Sequence, residues 1–438
     1  MIQASTDFAN RQIDEKEHGY QQLKTAIHEE LVESLDLATL GRIDQERLGP
    51  EVRSVAERLC KRQKQNDLDK DRLLDELMDE VFGLGPLERL MKDDSVADIL
   101  VNDAHEVYVE RNGRLELTDV IFSDDRHVMR VIQRIVARIG RRIDEVSPMV
   151  DARLPDGSRI NAIVPPLALK GPTLSIRRFG TKPLQADDLQ ANNSVLPEMV
   201  EFLAAAVASR MSFLISGGTG AGKTTLLNAL SSFVPEDERI VTIEDSAELN
   251  LQHRHVIPLE TRNPNTEGMG EVTQRDLVRN ALRMRPDRIL IGEVRSAEAL
   301  DMLQAMNTGH EGSLCTIHAN DTPDALARLE MMTSMTGYDF PTQVVRQYIS
   351  AGIRLIVHLA RLRGGVRRVT RISEIRSVTA DGQYDIKDIF GFKQDGVDEN
   401  GIAYGHFYAT GYVPHCLERM TEAGHELPES LFAQRDIS

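Results

Sequence analysis

Long apolar runs are missing from this 438-residue sequence. No window approaches the roughly 18 consecutive apolar residues of a membrane-spanning helix. The best stretch, FLAAAVASRMSFLIS, is cut by Ser209, Arg210 and Ser212, so a transmembrane segment is not expected. The first residues, MIQASTDFANRQIDEKEHGY, lack the basic cluster and apolar core of a secretory signal. Cysteine is scarce: Cys60, Cys315 and Cys416 are the only three. Odd in number and widely spaced, they suit free thiols in a reducing compartment rather than a disulfide framework. Lys and Arg total 52 against 69 acidic residues, for a formal net charge of -17. Neutralising nucleic acid requires a basic excess, so nucleic acid is not an expected partner. Repeats with a period of about 20 to 50 residues are absent, as are low-complexity tracts.

The length exceeds one ordinary core and predicts two or three domains. Residues 1-70 read as a small helical region, with Leu23, Ile27, Leu31 and Leu35 on one helical face and Gly49-Pro50 punctuating before the run VRSVAERLCKR. A third helix, DRLLDELMDEVFG, is predicted to end near Gly83 to Pro86. Within a domain placed at residues 71-180, the texture then changes from about residue 94. VADILVN, EVYVERNGRLEL and RINAIVPP alternate as strands do, Asn112-Gly113 marks a hairpin, and VMRVIQRIVARIGRR reads as a helix. This α+β domain carries many arginines toward one end, among them Arg153, Arg159, Arg177 and Arg178. A connector over 181-195 leads to residues 196-438, where FLISGG, RIVTIED, RILIGEV, SLCTIHA and RLIVHLARL alternate with amphipathic helices. That order predicts an α/β fold with a mostly parallel sheet and helices on both faces.

The sharpest motif follows the first of these strands. Gly217, Gly218, Thr219, Gly220, Ala221, Gly222, Lys223, Thr224 and Thr225 contain G-x-x-x-x-G-K-T. Such glycines let backbone N-H groups turn inward around phosphates. Lys223 can then reach the β and γ oxygens, the Thr224 hydroxyl can ligate Mg2+, and the following helix brings its positive end to the same point. ATP and Mg2+ are therefore the expected cofactors. Hydrolysis also needs a group that activates water and one that holds the metal's water shell. Glu244 and Asp245 in VTIEDSAEL, and Glu293 in RILIGEVR, close apolar strands where a parallel sheet delivers its ligands. Thr273 and Asp276 open a helix as a capping box, and Arg283 and Arg285 near its end either compensate the helix dipole or serve the nucleotide.

In GHEGSLCTIHAN, the residues His310, Cys315 and His318 invite a metal site. SLCTIHA is predicted to be a strand, on which Cys315 and His318 point to opposite faces and cannot converge on one ion. The thiol then packs, and both histidines are expected near the strand end that faces the nucleotide, able to report on its γ-phosphate.

Taken in order, GGTGAGKTT, TIEDSAEL, LRMRPDRILIGEVR and GHEGSLCTIHAN resemble the Walker A, Asp box, Walker B and His box of the secretion ATPases of type II secretion, type IV pili and type IV secretion. Upstream, GLGPLERL, VNDAHEVYVERNGRLE, SPMVDARLPDGSRINAIVPP and LSIRRF are similar to the CpaF branch, which serves tight-adherence (Flp) pili. The resemblance spans about residues 70 to 375. It implies a RecA-like P-loop ATPase domain with a C-terminal subdomain over 196-438, preceded by a PAS-like α+β domain, assembled as a homo-hexamer. It further implies a cytoplasmic enzyme, peripheral at the inner face of the cytoplasmic membrane, that drives pilus assembly, or assembly and retraction, through an inner-membrane platform protein. Lys223 and Thr224 then hold phosphate and Mg2+, Glu244 activates water, Glu293 holds the metal through water, and His310 and His318 are the His-box residues. Arg159 and Arg177, with Arg153 a further candidate, match arginines that reach the γ-phosphate from the N-terminal domain. One departure is Ser296, where many relatives have Asp or Gly after GEVR. The alternatives are a traffic ATPase of type II or type IV secretion, a nucleic-acid motor, and a nucleotide-gated scaffold without turnover.

Overall fold

The computed structural model describes residues 20, 24, 26, 27, 30, 45–62, 70–111, 113–178, 183–262, 264, 269–338 and 340–437. The chain divides into two compact units, Met1–Gly180 and Thr181–Ser438. Among the described residues, no helix is long and apolar enough to cross a membrane.

In the first unit, helices α1 (Gln45–Arg62) and α2 (Lys70–Phe82) bury Val52, Ala56, Leu59, Leu73, Leu74 and Leu77 together with Ile27. Leu23, Leu31 and Leu35 lie outside the described residues. The expected break at Gly49-Pro50 does not occur, because α1 starts at Gln45 and runs through Pro50. A proline there forfeits one intrahelical hydrogen bond, and the buried face that follows it offsets the loss. A six-stranded antiparallel sheet follows, made of β1 (Val96–Val101), β2 (Val107–Arg111), β3 (Arg114–Leu117), β4 (Met149–Arg153), β5 (Arg159–Ile163) and β6 (Thr173–Arg177) in the order β3-β2-β1-β6-β5-β4. Arg111 pairs with Arg114 across the predicted hairpin and Gly113 takes φ 79° there, while Asn112 lies outside the described residues. Helix α3 (Asp125–Arg138), capped by the Asp124 side chain on the His127 N-H, lays Val128, Val131, Ile132, Ile135 and Val136 into the core of this unit.

The second unit is built on a ten-stranded sheet. Its strands are β7 (Phe213–Gly217), β8 (Ile240–Glu244), β9 (Val256–Glu260), β10 (Arg288–Val294), β11 (Leu314–His318), β12 (Leu355–Arg361), β13 (Arg367–Val378), β14 (Tyr384–Val397), β15 (Ala403–Ala409) and β16 (Arg435–Ile437). They run β16-β15-β14-β13-β12-β7-β11-β10-β8-β9, parallel from β12 to β9 and antiparallel from β12 to β16. Strand alternation divides the core in two. Phe213 and Ile215 enter one cluster with α4 (Pro197–Ala208) and α5 (Lys223–Ser231). Leu214 enters the other with α6 (Gln274–Ala281), α7 (Glu298–Asn307), α8 (Thr322–Ser334) and α9 (Thr342–Gly352). Helices thus cover both faces of the parallel part, whose interior strands β7, β8, β10, β11 and β12 are largely buried on both sides and read as short apolar runs.

Candidate active site at the carboxyl ends of the parallel strands

Between β7 and α5 the chain turns at Gly220 (φ 68°) and Gly222 (φ 99°), left-handed conformations that side chains disfavour. Gly217 is constrained from outside: a Cβ there would stand 2.5 Å from the Leu359 carbonyl oxygen of β12. Lys223, the first residue of α5, is buried, and its Nζ donates to the Gly218 carbonyl at 3.1 Å. Burial holds its ammonium below the ordinary lysine value, and the Glu293 charge opposes that shift.

Three neighbouring strands, β11, β10 and β8, carry His318, Glu293 and Glu244 at or next to their carboxyl ends. His318 ends β11, with Nδ1 3.4 Å from Lys223 Nζ and Nε2 2.8 Å from Glu293 Oε1. Burial depresses the basicity of its imidazole; Glu293 counters this, and the Lys223 and Arg295 charges reinforce it. Glu293 lies where the pairing of β10 with β11 shifts between Ile291 and Val294, a bulge that re-aims its side chain. Its Oε2 accepts from Arg295 Nε at 2.8 Å, and Arg295 Nη1 also reaches Asp245 Oδ2 at 3.0 Å. One guanidinium therefore ties the end of β8 to the end of β10. Glu293 Oε1 is buried without a hydrogen bond of sound geometry. A hard oxygen held in that way fits the water shell of a divalent cation, and Thr224 follows Lys223 on the first turn of α5.

Glu244 ends β8 and is buried, its Oε1 accepting from the Glu248 and Leu249 N-H groups at 2.9 and 3.0 Å. Its side chain crosses Gly292, where an added Cβ would lie 2.7 Å from Glu244 Cγ. Gly292 is thus a site residue that motif reading passed over, and the small residue before Glu293 in RILIGEV is its only trace in the sequence. Ser296, the departure after GEVR, shares with Arg295 a backbone cap from Glu298 Oε1, at 2.8 and 2.6 Å.

The two histidines separate. His310 precedes β11 and His318 ends it, so a five-residue strand, roughly 15 Å long, carries them to opposite ends of the parallel strands. The expectation that both face the nucleotide is therefore corrected for His310 within one chain. The His310 carbonyl accepts the Ser313 hydroxyl at 2.8 Å. Cys315 is fully buried, its thiol pKa pushed up by burial, and its Sγ lies 3.7 Å from the Phe213 carbonyl. Arg283 and Arg285 follow the carboxyl end of α6 and precede β10, at the edge away from the phosphate loop. That position leaves them the helix-dipole role rather than a nucleotide contact in the same chain. Thr273 and Asp276 form the capping box.

In the first unit, strand register brings three arginines into one row. Arg153 pairs with Arg159, Arg159 with Arg177, and Arg177 with Asp98. Arg159 holds Asp151 through Nε at 3.1 Å and Nη2 at 2.6 Å, Arg177 Nε lies 3.3 Å from Asp98, and Arg153 Nε donates to the Gly157 carbonyl at 3.0 Å. Arg178 is turned inward onto the Val96 carbonyl at 3.0 Å.

A family model described as "Type II/IV secretion system protein" matches residues 80–389. The chain belongs to that family. A putative conjugal transfer protein of Mycobacterium tuberculosis is 42% identical over 308 residues, 68% of this chain and 86% of that protein. The conjugal transfer protein TrbB of Rhizobium radiobacter is 32% identical over 289 residues, 65% of this chain and 85% of its own length. Among solved structures, the ATPase DotB of Yersinia pseudotuberculosis aligns with a TM-score of 0.50 at 17% identity, covering 67% of this chain and 78% of that one. This likeness speaks to the mixed α/β fold alone. As a secretion-family ATPase, the chain has its loop, its two strand-end glutamates and His318 gathered at one place.

Proposed function

We propose that this ATPase is the hexameric, cytoplasmic motor of a type IV pilus of the tight-adherence (Flp) class. It would act at the inner face of the cytoplasmic membrane on an inner-membrane platform protein. The observation that carries the hydrolytic part is the convergence of Lys223, Glu293 and His318 beside a buried, backbone-anchored Glu244. In this reading the second unit is RecA-like and the first PAS-like. The pilus assignment rests on the upstream motifs GLGPLERL and SPMVDARLPDGSRINAIVPP.

Lys223 and the inward N-H groups of residues 217–225 bind the β and γ phosphates. The Thr224 hydroxyl, and Glu293 through water, would hold Mg2+, which would supply charge neutralisation at those oxygens. Glu244 orients the attacking water and accepts its proton, its carboxylate fixed by the Glu248 and Leu249 N-H groups. Arg295 keeps Glu293 and Asp245 in register, and His318 sits between Lys223 and Glu293, placed to register loss of the γ-phosphate. Arg159 and Arg177, matched by resemblance to arginines that reach a γ-phosphate, would exchange their partly exposed partners Asp151 and Asp98 for it, and hydrolysis would release them. Surface ion pairs of that kind are worth about 1 kcal/mol or less, so a phosphate competes well for the guanidinium groups. Nucleotide state would thereby decide which partner those arginines hold.

The names of the relatives favour a second reading, a traffic ATPase of conjugal or type IV secretion. Cross-linking in cells, followed by identification of the membrane partner, separates the two: a pilus platform protein supports the first reading and a conjugation component the second. ATP turnover stimulated by DNA or RNA would instead point to a nucleic-acid motor.

A further inference from the structure

The segment RLRGGVRRVTR places Arg361, Arg363, Arg367, Arg368 and Arg371 within eleven residues with no acid among them, in a chain of net charge -17. It forms the tip where β12 turns into β13, and the turn is held from behind: a Cβ at Gly364 would stand 2.8 Å from Ile402 Cα. Arg361 and Arg367 are direct cross-strand partners. Like charges placed opposite one another on antiparallel strands cost stability. Both nevertheless lie against the phosphate loop. Arg367 Nε donates to the Gly220 carbonyl at 2.9 Å, and its Cδ lies 3.6 Å from where a Gly222 Cβ would be. Arg361 Nη1 lies 3.2 Å from where a Gly220 Cβ would be. The loop's glycines therefore make room for this hairpin as well as for a ligand.

The geometry points to a second cationic wall of the nucleotide site: Arg361 binds the phosphate tail of the nucleoside triphosphate from the β12 side, opposite Lys223, while Arg367 is a positioning residue that holds the loop. By drawing the Gly220 carbonyl outward, Arg367 leaves the loop's N-H groups to point at the phosphates. An anion shared by the two guanidiniums offsets the repulsion between them, and Arg suits planar, bidentate recognition of phosphate. This inference rests on the ATPase reading and adds to it a phosphate contact outside the G-x-x-x-x-G-K-T motif.

The test uses the full chain and measures dissociation constants for ATP, ADP and inorganic pyrophosphate. Arg361→Ala is expected to weaken all three by roughly ten- to a hundredfold, the range for a hydrogen bond to a charged group. Arg361→Lys is expected to recover part of the loss. Arg367→Ala is expected to raise KM for ATP more than it lowers kcat. Melting curves without nucleotide show whether each variant folds, and Arg361→Gln replaces Arg361→Ala if the latter does not. Affinities within twofold of wild type overturn the inference, as does a loss seen for ATP and ADP but not for pyrophosphate. Lys223→Ala and the wild type are run alongside: a wild type that binds no nucleotide refutes the ATPase reading itself, whereas tight wild-type binding with an indifferent Arg361 refutes only this proposal.

Discussion

Gly292 lies beneath the Glu244 side chain, and its replacement by alanine tests whether Glu244 activates water. The new Cβ would stand 2.7 Å from Glu244 Cγ and 3.1 Å from Oε1, inside van der Waals contact by up to about 1 Å. Backbone N-H groups at 2.9 and 3.0 Å anchor the carboxylate, so the strain must either move Glu244 or spread β8 from β10. Overpacking of this kind costs about 1 to 3 kcal/mol of stability. A displacement of about 1 Å at a reacting group costs on the order of a hundredfold in rate. Lys223 and its loop follow a different strand, β7, and keep the Lys223 contact to the Gly218 carbonyl. Gly292→Ala should therefore lower kcat for phosphate release by about a hundredfold, while ATP affinity stays within about threefold, less than one charged hydrogen bond contributes. Steady-state phosphate release, nucleotide titration and thermal melting on the same preparation measure the three quantities. A kcat within twofold of wild type in a folded variant would refute the role given to Glu244.

Glu244→Gln keeps the shape but cannot take a proton; phosphate release should fall by at least about a hundredfold with ATP still bound, and normal steady-state release would count against the assignment. Alanine at Arg159 or Arg177 should depress turnover more than nucleotide affinity, read as separate effects on kcat and Kd; unchanged turnover removes that arginine from the mechanism. His358, buried behind the loop strand with Nδ1 2.9 Å from Ser216 Oγ, has its basicity lowered from the usual 6.5 chiefly by burial. The unfolded chain therefore binds its proton more readily, and the stability His358 contributes is full above pH 6.5 and is lost as pH falls below it. Melting temperature against pH should lose part of that acid slope in His358→Gln, and an identical slope would exclude His358 as a source.

The phosphate loop and the strands around it were legible for a simple reason. β7, β8, β10, β11 and β12 lie in the interior of the sheet, so each reads as a short apolar run bounded by turns. The antiparallel extension β13 to β16 was not anticipated. RRVTRISEIRSV and YDIKDIFGFKQDGV mix charged and apolar positions because one side of these strands faces solvent, and their pairing is set by partners distant in the chain. Pro50 shows the opposite failure: a strong local breaker was overridden by a buried helical face.

Local order in the chain sufficed to propose the nucleotide chemistry, since a G-x-x-x-x-G-K-T loop such as Gly217 to Thr224 is suited to phosphate by its own conformation and by the helix that follows it. It also separated Cys315 from His318, because alternation along a strand is a local rule. Which strand ends meet is a long-range matter, settled by hydrogen-bonded pairing and burial. Sheet order set His318 between Lys223 and Glu293, left His310 at the opposite end of the strands, aligned Arg153, Arg159 and Arg177 in one row, pressed Arg361 and Arg367 against Gly220, and left room above Gly292 for Glu244. None of these contacts joins residues adjacent in the chain, so only the folded sheet brings them together.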